Sequence, residues 1–304
     1  MTKMKLIMST LGVFTVYLLF ATPAQAQLFG RTYVSNSGSN ASPSCGSTAP
    51  CKAISFAMTK TLAGGEVVVL DSGEFGPIGV ITKSITINGD GSAATISASN
   101  GITINAGVND VVTIRGVSIN GVSGGATAIK YQSAKQVLIE NCSISNVPFN
   151  LIEVALSAPG NLVVKNTTIQ GLNNGSNIQN GIKQTTADNA LTASLEDVRI
   201  IGTYNGLELV NGVVTISNSL VAQNSNIGIL AAGGTINVES SRVASNAVAV
   251  QANFGAVIRL SNAAILNNTT GISILAGGTV ATFGNNKVAG NIFSSLPNAA
   301  IGQQ

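Results

Sequence analysis

VTISNSLVAQN at 214–224, INVESSRVASN at 236–246, IRLSNAAILNN at 258–268 and ATFGNNKVAGN at 281–291 are four copies of one pattern. Each reads V-x-I-x-N in outline, then a small residue, then x-V/I and a closing asparagine. The closing residues Asn224, Asn246, Asn268 and Asn291 follow at intervals of 22, 22 and 23. A unit this short cannot bury an apolar face alone, so successive units must stack. Working outward, with each unit anchored on the residue after x-V/I-x, the anchors are Gly116, Asn141, Asn166, Asp197, Asn218, Ser240, Asn262 and Asn285. Their intervals are 25, 25, 31, 21, 22, 22 and 23, and the longest contains LNNGSNIQNG at 172–181, a loop insertion into a regular array. A further strand precedes the later anchors: GLELV at 206–210, GILAA at 228–232, AVAVQ at 247–251 and GISIL at 271–275.

Each unit therefore holds about three short strands joined by Gly- and Asn-containing turns. A leucine-rich repeat shares the period but needs an L-x-x-L-x-L framework, whereas Val and Ile recur here at period two. A hexapeptide repeat is absent. So is the calcium-binding nonapeptide, because Gly233-Gly234 and Gly277-Gly278 are followed by Thr. The remaining fold is all-β: a single-stranded right-handed parallel β-helix, a solenoid of about eight to nine coils.

The chain opens with Lys3 and Lys5, an apolar run from Leu11 to Phe20, and Ala24-Gln25-Ala26, which reads as a signal peptide over 1–26. The run is too short for a spanning helix, and no later segment approaches the roughly 20 apolar residues one requires. Export follows, to the periplasm, the medium or the cell surface. There are 15 basic and 12 acidic residues, and two lysines leave with the leader, so the remainder is near neutral. That composition argues against nucleic acid as a partner. Cys45 and Cys51 bracket CGSTAPC, and an oxidising destination makes them a disulfide. With no histidine and one other cysteine, no metal or cofactor site is read. Residues 53–63 place Ile54, Ala57, Met58 and Leu62 on one helical face, and Gly64-Gly65 is expected to end that helix. The expected organisation is a strand, disulfide loop and N-terminal capping helix over 27–65, the β-helix over 66–291, and a tail or cap over 292–304. The thin C-terminal coil leaves room for an oligomer.

The entry segment TYVSNSGSN (32–40), APCKAISFAM (49–58) and GGEVVVL (64–70), with the repeats that follow, resembles the pectin-lyase-like right-handed parallel β-helix proteins, exported mostly by bacteria. The resemblance covers roughly 31–291 and implies the fold. Its polygalacturonase-like branch implies paired aspartates and Gly-His-Gly, and neither is present. Its pectate-lyase-like branch implies a carboxylate cluster for calcium and an arginine base, whereas Glu196-Asp197 is the only adjacent acidic pair here.

Stacking places equivalent residues about 4.8 Å apart, so columns can be read from the repeats. One outward column reads Arg115, Glu140, Lys165, Glu196, Ser217, Glu239. A second, on the preceding strand, reads Lys130, Glu153, Lys183, Glu208. Lys130, Glu153, Lys183 and Glu208, with Tyr131 and Tyr204 close in sequence, are the candidate polysaccharide-binding residues. No catalytic residue is assigned. Alternating charges also lock strand register, since a one-coil slip would stack like charges. Two columns with the same alternation favour that structural role, because an active site needs only one. The expected function is an exported, non-catalytic surface or carbohydrate-binding protein. The alternative is a polysaccharide lyase or epimerase acting on a uronate-containing glycan. Cys142 is expected to be a small buried side chain. The Asn-Cys-Ser and Asn-Thr-Thr sequons at 141–143 and 166–168 are expected to be engaged in a stacked turn.

Overall fold

The computed structural model describes residues 28–97, 101–121, 127–172 and 179–302; the proposed leader over 1–26 lies outside them. Among the described residues the strands form three sheets of 12, 9 and 10 strands, and every pairing is parallel. One coil shows the rule. Ile227–Ala231 lies on the nine-stranded sheet, Thr235–Glu239 on the 12-stranded sheet and Arg242–Ala244 on the 10-stranded sheet. Val248–Ala252 then returns beside Ile227–Ala231, with Ile229 opposite Val250. Parallel neighbours joined by crossovers wind right-handed, and the result is a right-handed parallel β-helix.

The interior is the stacked aliphatic columns expected from the period of two. Val112, Ile114, Val137, Ile139, Leu162, Val164, Val214, Ile216, Ile236, Val238, Ile258 and Leu260 are all buried. Cys142 is buried among them, and burial pushes its thiol up to about 11.

The corners decide the coil. Between the 12- and 10-stranded sheets one residue per coil takes left-handed φ: Gly116, Asn141, Asn166, Asp197, Asn218, Ser240 and Asn262. Asn and Asp tolerate this region better than other side chains. The last anchor is corrected. Leu260 pairs with Thr282, so Gly284 (φ 81°), not Asn285, stands opposite Asn262. Asn285 instead accepts the Asn262 N–H at 3.0 Å. At the sequons, Asn166 Nδ2 donates to Asn141 Oδ1 at 2.8 Å.

At the corner between the 10- and nine-stranded sheets, the left-handed residues of the coils after residue 212 are Gln223, Ser245, Asn267 and Gly290, as Asn146 and Gly202 are in earlier coils. In the later coils the residue after each is the closing asparagine. Asn224, Asn246 and Asn268 are turned inward, with 2%, 3% and 2% of their surface exposed. Their amides form a continuous ladder: Nδ2 of Asn224, Asn246 and Asn268 donates to Oδ1 of Asn246, Asn268 and Asn291 at 2.8, 3.0 and 2.9 Å. Each acceptor oxygen also takes the backbone N–H of the asparagine one coil earlier. Buried polar groups need such partners, and this ladder satisfies both amide atoms.

The N-terminal end is covered by β1 (Phe29–Val34), α1 (Ile54–Lys60) and β2 (Thr61–Val69), with Cys45 and Cys51 joined as a disulfide. The helix is shorter than expected. It stops at Lys60 because Thr61 Oγ1 donates to Ala57 O at 2.8 Å and Lys83 Nζ to Met58 O and Thr61 O. Those bonds occupy the terminal carbonyls that another turn would use. Gly64-Gly65 therefore lies within β2, and Leu62 is exposed rather than on the buried helical face. β2 spans the expected 65/66 division, so cap and solenoid share one sheet. At the other end Ala299–Ala300 pairs with Thr279–Thr282, and Ile292, Phe293 and Leu296 are exposed on the last coil.

Candidate functional site

On the nine-stranded sheet, strands Ile129–Ser133, Ile152–Val154, Ile182–Gln184 and Leu207–Leu209 lie side by side. Each alternates buried, half-exposed, buried. Lys130, Glu153, Lys183 and Glu208 are consecutive register partners on the outer face. The same column continues into uncharged residues at both ends: Thr103 on one side, and Leu230, Gln251 and Ser273 on the other.

The four charges pair two by two. Lys130 Nζ lies 3.1 Å from Glu153 Oε1, and Lys183 Nζ lies 3.2 Å from Glu208 Oε2. Side-chain exposure is 17% for Glu153 and 13% for Glu208, against 38% and 31% for the two lysines, so the acids form the floor and the amines the rim. Neighbouring amides hold both acids. Asn150 Nδ2 donates to Glu153 at 3.3 Å and Asn205 Nδ2 to Glu208 at 3.1 Å, each from three residues earlier. Thr127 Oγ1 adds a bond to Glu153 at 3.1 Å. The asparagines are themselves tied from coil to coil, Asn180 to Asn150 at 2.8 Å and Asn226 to Asn205 at 2.9 Å. This second ladder borders the charge column and sets where its carboxylates sit.

A depression of about 280 Å³ opens over the first pair, lined by Gly101, Thr103, Thr127, Lys130, Phe149, Asn150 and Glu153. Phe149 is 46% exposed. An exposed ring beside a lysine and a held carboxylate offers a flat apolar face together with charged hydrogen-bonding groups.

The expected aromatic partners divide. Tyr131 does not belong to this face. It follows Lys130 directly, so strand alternation points it inward, where it is fully buried and donates its hydroxyl to Ala134 O at 2.7 Å. Burial pushes its phenol up to about 12. Tyr204 is half-buried on the bend entering Leu207–Leu209. Phe149, Asn150, Thr127 and Asn205 were not among the expected residues. The N-x-x-E spacing of Asn150/Glu153 and Asn205/Glu208 is visible in the sequence and could have found the asparagines. Phe149, after Pro148 in a bend, carries no such periodic mark.

The column on the 12-stranded sheet is also in register through Arg115, Glu140, Lys165, Glu196, Ser217 and Glu239. Lys165 pairs with Glu196 at 3.2 Å, but Arg115 turns away from Glu140 to Glu66 and Asp90, at 3.4 and 3.3 Å. Among the described residues no three His, Cys, Asp or Glu side chains converge as a metal site, and no helix is long and apolar enough to cross a membrane.

No family model matches the sequence, and no curated protein matches it. Among solved structures the chain is similar to pectate lyase Pel9A, with 16% identity and a TM-score of 0.59 over 92% of this chain and 80% of that one. It is also similar to a rhamnogalacturonan lyase, with 15% identity and a TM-score of 0.51 over 77% of this chain and 74% of that one. At these identities the likeness is one of fold alone: the molecule shares a right-handed parallel β-helix with these proteins.

Proposed function

We propose that this chain is an exported, non-catalytic β-helix protein that binds polysaccharide across the outer face of its nine-stranded sheet, over Lys130, Glu153, Lys183 and Glu208. The observation that carries the reading is the depression where Lys130 and Glu153 stand beside the exposed ring of Phe149. Sugar rings present apolar C–H faces to aromatic rings and hydroxyls to charged side chains, and this surface offers both. Both carboxylates are already engaged by a lysine and by neighbouring amides, an arrangement that suits fixed recognition better than proton transfer. Export is supported by the leader-like segment over 1–26 and by the Cys45–Cys51 bridge, since disulfides persist in oxidising compartments.

The test replaces Lys183 and Glu208 together with Gln and measures polysaccharide binding on a glycan array alongside the melting temperature. Lost binding with an unchanged melt supports recognition. Unchanged binding with a lowered melt reduces the column to a register lock. Growth of absorbance in the unsaturated-uronate band during incubation with pectate or alginate, with or without calcium, would replace this reading with the lyase alternative.

A further inference from the structure

The corner between the 12- and 10-stranded sheets lies across the solenoid from the nine-stranded face. A shallow groove of about 490 Å³ runs along it over successive coils, lined in part by Asp197, Arg199, Asn218, Ser240, Arg242 and Asn262. One wall is the row of left-handed corner residues, with their amides and hydroxyls. The other is the outward column of the 10-stranded sheet, where register places Arg199, Leu220, Arg242, Ala264 and Lys287 in succession. Basic residues thus recur at every second coil, roughly 9.6 Å apart for a coil rise of about 4.8 Å.

These cations are uncommitted. Elsewhere Arg31, Arg115, Lys130, Lys165 and Lys183 pair with carboxylates. Lys52, Lys83 and Arg259 donate hydrogen bonds, and Lys60 lies over Phe56. Among the described residues the basic side chains without such a partner are Lys135, Arg199, Arg242 and Lys287, and the last three share this one column. All three are exposed. Asp197 is the single acid lining the groove, and it makes no ion pair with either arginine.

We propose that this corner groove is a second binding site, for a linear polyuronate lying along the solenoid axis with alternate carboxylates on Arg199 and Arg242. A planar guanidinium matches a carboxylate bidentately. In a two-fold chain of sugars the carboxylates on one side recur at every second unit, as the basic residues do here. Leu220 and Ala264 then face the intervening apolar sugar surface, while Asn218, Ser240 and Asn262 meet hydroxyls. Lys287 extends the line by two coils. The site is independent of the Lys130–Glu208 face.

The experiment titrates the full chain with polygalacturonate and with its fully methyl-esterified form by affinity electrophoresis. It compares the wild type with Arg199→Gln/Arg242→Gln and with Lys183→Gln/Glu208→Gln. Wild type should bind the acid form and not the ester. The arginine variant should bind at least about tenfold more weakly at an unchanged melting temperature, which also reports that it folds. The Lys183/Glu208 variant should keep the preference for the acid form over the ester, because its groove arginines are intact. Binding unaffected by loss of both arginines, equal retention by the ester, or no retention of wild type by the acid polymer would each overturn the proposal. If the Lys183/Glu208 variant alone loses affinity, the ligand belongs to the nine-stranded face and the groove reading falls by itself.

Discussion

The coils after residue 212 and those before it share one backbone but differ in the side chains they place on the nine-stranded face and at the inner corner beside it. In the later coils the nine-stranded face carries Leu230, Gln251 and Ser273, while the interior corner holds Asn224, Asn246 and Asn268. In the earlier coils the outer face carries Lys130, Glu153, Lys183 and Glu208, and the equivalent interior corner holds buried Val147 and Thr203. Thr203 starts the ladder by donating to Asn224 Oδ1 at 2.6 Å. At the loop insertion a glutamine does the same work from a different place. Buried Gln179 accepts the Leu172 N–H at 2.8 Å and donates to Val147 O. The difference teaches that the same stack can satisfy its corners with inward amides, which are closed to any ligand, while leaving the outer columns free to vary in charge.

The contrast can be broken most directly from the inside. Asn246→Leu keeps the branched shape of the side chain, with somewhat more bulk, but leaves the Asn224 N–H and Nδ2 without their acceptor. Each such group costs roughly 1–3 kcal/mol, so chemical denaturation should show a larger loss for this variant than for any change on the outer face. Second comes Gly160→Ala. A methyl there would run into the Tyr131 hydroxyl, and overpacking a closed core costs about 1–3 kcal/mol. A wild-type melt for that variant would mean that Tyr131 is not wedged inside as described.

Lys183→Gln/Glu208→Gln on the outer face should change stability by only about 1 kcal/mol or less, because the pair is partly exposed. A loss as large as that of Asn246→Leu would erase the distinction between the two regions. The smallest effect is a change in pH dependence. Burial opposes the charge on Glu66, but hydrogen bonds from Asn88 and Arg31 and the charges of Arg31 and Arg115 outweigh it and hold the carboxyl below its ordinary range. The folded chain then binds that proton less tightly than the unfolded one. The stability it contributes is present above the ordinary Glu pKa and is lost as pH falls through it toward the folded value. Glu66→Gln should flatten this acid limb in thermal melts, whereas Asn246→Leu should leave its shape alone, since an amide ladder does not titrate.

Much of this was legible from the residues alone. Period-two Val and Ile marked the inner columns, and the repeat interval aligned Lys130 with Glu153, Lys183 and Glu208 in the register observed. Tyr131 was legible too, but nearness in sequence to Lys130 hid the fact that neighbours on a strand face opposite sides. The end of α1 was not legible, because Lys83, which helps terminate it, arrives from the following coil. Nor was the paired, rather than continuous, character of the charge column, which depends on Asn150 and Asn205 turning each carboxylate toward its own lysine.

The sequence by itself determined the stack, its period and its core, because those follow from alternation within each strand and repetition between coils. That asparagines at the corners bond along the stack was also legible; which of them stand open and which are sealed inside was settled by the tertiary structure. A left-handed residue at corners such as Asn218 and Gln223 resets the two-residue alternation, so the facing of the next side chain cannot be counted from the strand before it. Asn218 and Asn224 look alike in the repeat, yet one lines an open groove and the other is sealed in a hydrogen-bonded ladder. The closing of the coil in space made that distinction, and it separates the part of this molecule that holds itself together from the parts that can hold something else.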